Sequence, residues 1–254
     1  MTDWSNRVSI SRDRDAMARA AAEYAIGKLL AAFGQHESVR LLAATGASQL
    51  EFLGYVTATN KLDWNRIELF HLDEYIGIGI NHPASFAGYI RDRIIKPTGI
   101  PRYHLLDGGA DPAQVVAAAN EAISAAPIDV AFVGIGENGH LAFNDPPADF
   151  NTDQPYILVD LDHECRSQQV GEGWFAGLDE VPERAISMSI RQILKSKAIV
   201  CTVPDERKAR AVKAALTGPV TPEVPASILQ THPDVRFFLD ENSARMLPQS
   251  TARQ

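Results

Sequence analysis

Short apolar runs separated by amphipathic stretches recur along this chain, and that alternation restricts the fold more than any other feature of the sequence. Val39–Ala44 is one such run, followed by Thr45-Gly46-Ala47-Ser48 and a helix predicted around residues 48–59. Arg66–Leu72 reads as the next strand, ending at Asp73-Glu74-Tyr75. Ile128–Val133, Ala198–Val203 and Val235–Leu239 are further strands, with a short one at Tyr103–Leu106. Asn81-His82-Pro83 marks a helix start, with the helix running to about residue 95. Residues 111–125 form a second helix behind an Asp-Pro start, and residues 205–217 a third that ends at Gly218. Apolar runs of this length are strands buried on both faces. Strands alternating with helices predict an α/β fold, a three-layer, Rossmann-like, mostly parallel sheet with helices on both faces. No repeat, low-complexity tract or linker divides the 254 residues, so residues 1–254 are expected to form one domain.

Composition narrows the partners. A net charge of −8 disfavours nucleic acid or an anionic membrane as the main partner, and no apolar run approaches the roughly 20 residues that span a bilayer. The polar start Met1-Thr2-Asp3-Trp4-Ser5 lacks an apolar signal core. Cys165 and Cys201 lie outside any metal-type spacing, which is expected of unpaired thiols in a reducing compartment. A cytoplasmic protein with no membrane segment is the expectation, with the oligomeric state open and a homo-oligomer among its possibilities.

Ligand sites in doubly wound folds gather beyond the carboxyl ends of the strands, and three segments at such exits carry chemistry. Thr45-Gly46-Ala47-Ser48 opens a helix, where free backbone N–H groups and the helix dipole suit a phosphate; the same residues would also serve an ordinary capped turn. Asp73, at a strand end, is placed for a base that removes a proton beside a carbonyl; the alternative is an acidic residue that caps whatever follows the strand, and Glu74 reads equally as a solvated neighbour. The third is Gly134-Ile135-Gly136-Glu137-Asn138-Gly139-His140, continuing to Asn144-Asp145-Pro146-Pro147. It contains a formal G-x-G-x-x-G, but the two prolines stop any helix that a dinucleotide site requires. What remains is a backbone that a ligand can approach closely at Gly136, and an acid–base pair of His140 with Asp145 in one loop. No second His or Cys stands at ligand spacing, so no metal is expected. Lys208 and Arg166 are cations that could meet a phosphate or lie on solvated helix faces.

Together these segments resemble the glucosamine-6-phosphate deaminase family, whose fold is shared with 6-phosphogluconolactonases. The likeness runs from about residue 39 to residue 240. It rests on Leu72-Asp73-Glu74-Tyr75 with His82-Pro83-Ala84-Ser85-Phe86, the Gly134–Pro146 loop, Ser187-Met188-Ser189-Ile190, Lys208, and Pro225-Ala226-Ser227 with Leu229-Gln230-Thr231-His232. The Phe143-Asn144 pair favours the deaminase branch. The resemblance implies that Asp73 shuttles a proton between C2 and C1 of an opened amino sugar. It implies that His140 opens the pyranose ring, with Asp145 and Asn138 orienting it. It gives the phosphate to Thr45, Gly46, Ala47, Ser48 and Lys208. The implied reaction turns glucosamine 6-phosphate and water into fructose 6-phosphate and ammonia without a cofactor.

Three departures mark this chain. The family's Gly-Gly-Thr turn is Gly46-Ala47-Ser48, its Glu after the Asn is Asp145, and its phosphate-contacting Arg shortly after Arg166 is missing. Either Arg166 or Arg207 compensates, or the substrate is another sugar phosphate. Competing readings are a related hexose-6-phosphate isomerase, a 6-phosphogluconolactonase, or a non-catalytic sugar-phosphate sensor. The sensor reading is disfavoured because fewer than 40 residues precede the expected first strand and show no helix-turn-helix pattern.

Overall fold

The computed structural model describes residues 4–171 and 173–248. Its centre is a seven-stranded sheet in the order β1-β10-β9-β6-β2-β3-β5, with every recorded pairing parallel. The strands are β1 (Val8–Ser11), β2 (Val39–Ala43), β3 (Ile67–His71), β5 (Arg102–His104), β6 (Val130–Val133), β9 (Ala198–Val203) and β10 (Val235–Asp240). Helices α1 (Arg14–Phe33), α2 (Leu50–Thr57), α3 (Phe86–Ile90), α4 (Lys96–Thr98) and α5 (Pro112–Ser124) lie between the first strands, with α3 and α4 joined by a π-helical stretch at Arg91–Ile95. Then follow α6 (His163–Gly171), α7 (Ile190–Leu194), α8 (Ala209–Thr217) and α9 (Glu241–Ala244).

Successive side chains of a strand point to opposite faces, and here both faces are covered. Leu41, Ala43, Val130, Phe132, Val200 and Phe238 pack with Met17, Ala21, Leu29, Phe52 and Leu53 on the α1/α2 side. Their neighbours Leu42, Ala131, Val133, Ile199, Cys201 and Phe237 pack with Ile123, Val212, Ala215 and Leu216 on the other side. Two cores on one sheet explain why these strands read as near-continuous apolar runs. The three-layer α/β expectation is met.

The sheet does not start at Val39, as expected, but at β1. Val8–Ser11 is an edge strand that stays partly exposed, so it carries no apolar run to read. Helix α1 escapes periodicity because alanine fills both its buried and its half-buried positions, and Asp13 caps it through the Ala16 amide.

A larger departure concerns Asp73-Glu74-Tyr75. These residues do not end β3. The chain leaves the main sheet after His71, and Asp73–Tyr75 is β4 of a second sheet, antiparallel, in the order β4-β8-β7 with β7 Tyr156–Asp160 and β8 Arg184–Met188. The transfer is made at Leu72, whose carbonyl accepts the Met188 amide at 2.7 Å. A third apolar cluster, including Tyr75, Phe86, Phe143, Cys165 and Phe175, joins this small sheet to α3 and α6.

The helix predicted from Asn81 begins instead at Phe86, behind the N-cap Ser85. The reason is where acceptors exist for first-turn amides. Ser85 Oγ takes the Gly88 amide, and the Glu74 carboxylate takes those of Phe86 (3.1 Å) and Ala87 (2.8 Å). Glu74 is therefore no solvated neighbour: it is 1% exposed and also accepts the Ser85 hydroxyl and the Tyr75 amide. Burial pushes its pKa up against those four donors. Glu74→Ala leaves four buried donors without an acceptor and is expected to cost about 3 kcal/mol or more in urea unfolding; a loss under about 1 kcal/mol would refute the cap.

Candidate active site

One cleft at the carboxyl ends of β2, β6 and β9 collects most of the expected residues. Thr45, Gly46, Ala47, Ser48, Asp73, Gly136, His140 and Lys208 all line it, with Arg14, Gln168, Trp174 and Arg207 beside them.

The Thr45–Ser48 turn is held from behind. Tyr89 donates its hydroxyl to the Gly46 carbonyl at 3.2 Å, and Arg14 donates to the Ala47 carbonyl. The amides of Gly46, Ala47 and Ser48 find no backbone acceptor among the described residues. Gly46 has φ +94°, a conformation that glycine adopts without strain, and a Cβ there would meet nothing within 4 Å. Tied carbonyls beside amides that have no backbone acceptor are the features of an anion cradle. The helix expected from residue 48 starts with a 3-10 turn at Ala47–Gln49 before α2. Thr45 has a second influence, since its side chain acts to lower the Asp73 pKa.

Asp73 is 7% exposed, and its Oδ1 is buried without a partner among the described residues. Burial first, and the neighbouring Glu74 charge second, raise its pKa to about 8, with the Thr45 side chain opposing them. A buried carboxyl with one free oxygen at a cleft wall is suited to exchanging a proton with carbon.

His140 sits in the turn after β6. No helix follows Gly139, in keeping with the rejection of a dinucleotide site. Its loop is pinned to β8: Asn144 donates to the Leu141 and Met188 carbonyls at 2.7 and 2.8 Å, and Ser187 Oγ accepts the Phe143 amide. His140 Nδ1 lies 3.1 Å from Asp145 Oδ1, a hydrogen-bond distance with imperfect alignment. Burial pulls the Asp145 pKa up, but bonds from His140, Asn138 and the Cys165 thiol outweigh it and leave the carboxyl below its ordinary value. Asn138 bridges the pair, donating to Asp145 Oδ1 at 3.1 Å and accepting the His140 amide at 3.1 Å. Neither Asn138 nor Asp145 lines the cleft; both stand behind His140, in contact with it. With Nδ1 turned to Asp145, Nε2 is the nitrogen left for a ligand.

The ring of His140 rests directly on Gly136. A Cβ at position 136 would come within 2.3 Å of Nε2 and Cε1. Gly136→Ala must displace the imidazole, so turnover is expected to fall by about 100-fold with the melting temperature nearly unchanged. Unaltered kinetics would show that the ring position is not critical.

The cations divide. Lys208 is 7% exposed and reaches the cleft from a 3-10 turn rather than a regular helix start, with Nζ 3.9 Å from Glu137 Oε1. Arg207 also lines the cleft and pairs with Glu137 and Asp205. Arg166 does not line it. Its Nη2 donates to the Leu178 and Val181 carbonyls at 2.7 and 3.0 Å, so it braces the turn after α6 instead of meeting a phosphate. Arg14, which no motif marks, occupies the cleft instead; the acid-capped start of α1 three residues beyond β1 is the only sequence signal for it.

Among the described residues no helix is long and apolar enough to cross a membrane, and no group of three or more His, Cys, Asp or Glu is arranged to hold a metal ion.

Comparison with known proteins gives this geometry its context. Residues 12–237 match the model of the family described as glucosamine-6-phosphate isomerases/6-phosphogluconolactonase. A glucosamine-6-phosphate deaminase of Streptococcus pneumoniae (strain 70585) is 35% identical over 205 residues, 80% of this chain and 85% of its own length. One from Clostridium acetobutylicum is 33% identical over 241 residues, 92% of this chain and 97% of its own. A solved structure described as a monomeric glucosamine-6-phosphate deaminase superposes with a TM-score of 0.86 at 27% identity, covering 94% of this chain and 99% of that one. The cleft, the order of its segments and these likenesses agree: the chain belongs to the glucosamine-6-phosphate isomerase/6-phosphogluconolactonase family.

Proposed function

We propose that this protein is a glucosamine-6-phosphate deaminase, converting glucosamine 6-phosphate and water to fructose 6-phosphate and ammonia. The observation that carries the reading is the buried Asp73, with one free oxygen, facing the same cleft as His140 and an anion cradle. A lactonase needs a base for water at the His140 loop but no proton shuttle at Asp73. The deaminase needs both.

In this reading the phosphate sits on the Gly46–Ser48 amides with Lys208 beside it. Such an anchor holds the rest of the sugar in register with the acid–base groups. His140, held by Asp145, moves the proton that opens the ring. Asp73 then takes the C2 proton as a carboxylate, and the electrons pass into the C1 carbonyl, giving an enolamine. The same carboxyl returns the proton to C1. The C2 imine that results adds water and expels ammonia, leaving the ketone. Burial lifts Asp73 towards the working pH, so one group can accept the proton and give it back. Two buried free cysteines and a phosphorylated substrate favour the cytoplasm as the site of action.

The deciding measurement offers the purified protein glucosamine 6-phosphate and 6-phosphogluconolactone and scores ammonia, ketose and acid. Ammonia with stoichiometric fructose 6-phosphate is the expected result. Acid from the lactone with no ammonia would replace the proposal by the lactonase reading.

A further inference from the structure

We infer that Arg14 is a phosphate-recognising residue whose guanidinium completes the anion cradle at the Gly46–Ser48 turn. This rests on the sugar-phosphate reading above and adds to it a residue from outside the strand-exit motifs.

The fold brings Arg14 there. β1 runs parallel to the rest of the sheet and ends at Ser11, and Asp13 caps α1, so the first residue of α1 emerges on the carboxyl side of the strands. Two bonds then fix the guanidinium. Its Nη2 donates to the Ala47 carbonyl, inside the cradle itself, and its Nε donates to Glu51 Oε2 at 2.8 Å on the first turn of α2. Nη1 has no partner among the described residues. The side chain lines the cleft beside Gly46, Ala47 and Ser48. A planar guanidinium pinned along one edge with a further N–H group to offer is a preorganised partner for a phosphate oxygen.

Charge supports the assignment. Lys208 and Arg207 reach the cleft from the β9–α8 connection, and both lie near Glu137. Arg14 comes from α1, a separate element. Its counter-ion Glu51 is 39% exposed at the side chain, so water screens that pair and leaves the guanidinium's field available to a dianion. A phosphate on the cradle amides thus meets cations from two separate elements.

The test compares Arg14→Gln, Arg14→Lys and Glu51→Gln. For Arg14→Gln the KM for glucosamine 6-phosphate should rise about 10- to 100-fold with kcat within about threefold of the parent, the loss of one or two charge-assisted bonds. The inhibition constant of inorganic phosphate should rise by a similar factor. Arg14→Lys should recover part of that loss, since it keeps the charge without the planar fork. Glu51→Gln removes one of the two bonds that fix the guanidinium while keeping its charge and its bond to Ala47, so its KM should rise by clearly less than that of Arg14→Gln. Parental KM and phosphate affinity in Arg14→Gln would overturn the inference, as would an equal KM defect in Glu51→Gln, which would make the ion pair merely structural. Calorimetric binding of inorganic phosphate separates this result from the choice of reaction. If the parent binds phosphate more tightly than Arg14→Gln yet releases no ammonia, the deaminase reading fails and the assignment of Arg14 stands.

Discussion

Asp73→Asn is expected to lower ammonia release from glucosamine 6-phosphate by between about 100- and 10,000-fold while leaving the protein at least as stable as its parent. Both halves follow from one fact, the burial of an acidic group at the cleft wall. An amide cannot take the C2 proton, so the shuttle is lost with little change in shape. Stability moves the other way because the folded pKa of about 8 lies above the ordinary value of 3.8. Between those two values the folded state binds a proton that the unfolded state releases, so Asp73 makes the parent progressively less stable as pH rises from about 4 to about 8. The asparagine variant lacks that dependence. Its melting temperature should match or exceed the parental one, with a gap that widens across this window and then levels off. The same titration governs activity: the base is the ionised form, so kcat/KM should climb with pH towards about 8. A carboxyl carbon titrating near 8 by NMR should vanish in the variant. Parental turnover in Asp73→Asn would remove Asp73 from the mechanism.

His140→Asn carries the second large effect, a loss of roughly 100- to 10,000-fold in turnover of the cyclic substrate. The cause differs. Asp145 and Asn138 fix the imidazole over Gly136 with Nε2 left for the ring proton, and no other imidazole lines the cleft among the described residues. Solvent-deuterium exchange at C1 of fructose 6-phosphate, with ammonium present, separates the two roles. That exchange needs the proton shuttle acting on an open chain, so Asp73→Asn should abolish it and His140→Asn should retain much of it. Equal loss in both variants would show that His140 takes part in the carbon proton transfer itself.

The main sheet was legible in the residues because its signal is local. Ala198–Val203 is buried throughout and apolar but for Thr202, since the sheet is covered on both faces. The cradle was legible for the same kind of reason: a strand, a glycine-containing turn and a helix follow one another within a dozen residues. β7 and β8 were not legible as strands: both are five residues long, β7 is an edge strand that alternates between buried or half-buried and exposed positions, and β8 is buried except at Arg184. Arg166 and Arg14 show the limit most clearly. Both are arginines near helix starts, yet one braces two loop carbonyls and the other enters the cleft.

What the sequence by itself determined is the α/β class, the positions of the main strands, and the residue types for acid–base and phosphate chemistry at their exits. Each of these is a property of a short window, written in periodicity, turn residues and caps. What only the tertiary structure decided is the transfer of Asp73–Tyr75 into a second sheet, the burial that lifts the Asp73 pKa, and the exchange of Arg166 for Arg14 at the cradle. Those outcomes depend on which distant segments desolvate a carboxyl or offer a carbonyl to a guanidinium. The range of such contacts is a few ångströms in space and many residues along the chain, so no local pattern encodes them.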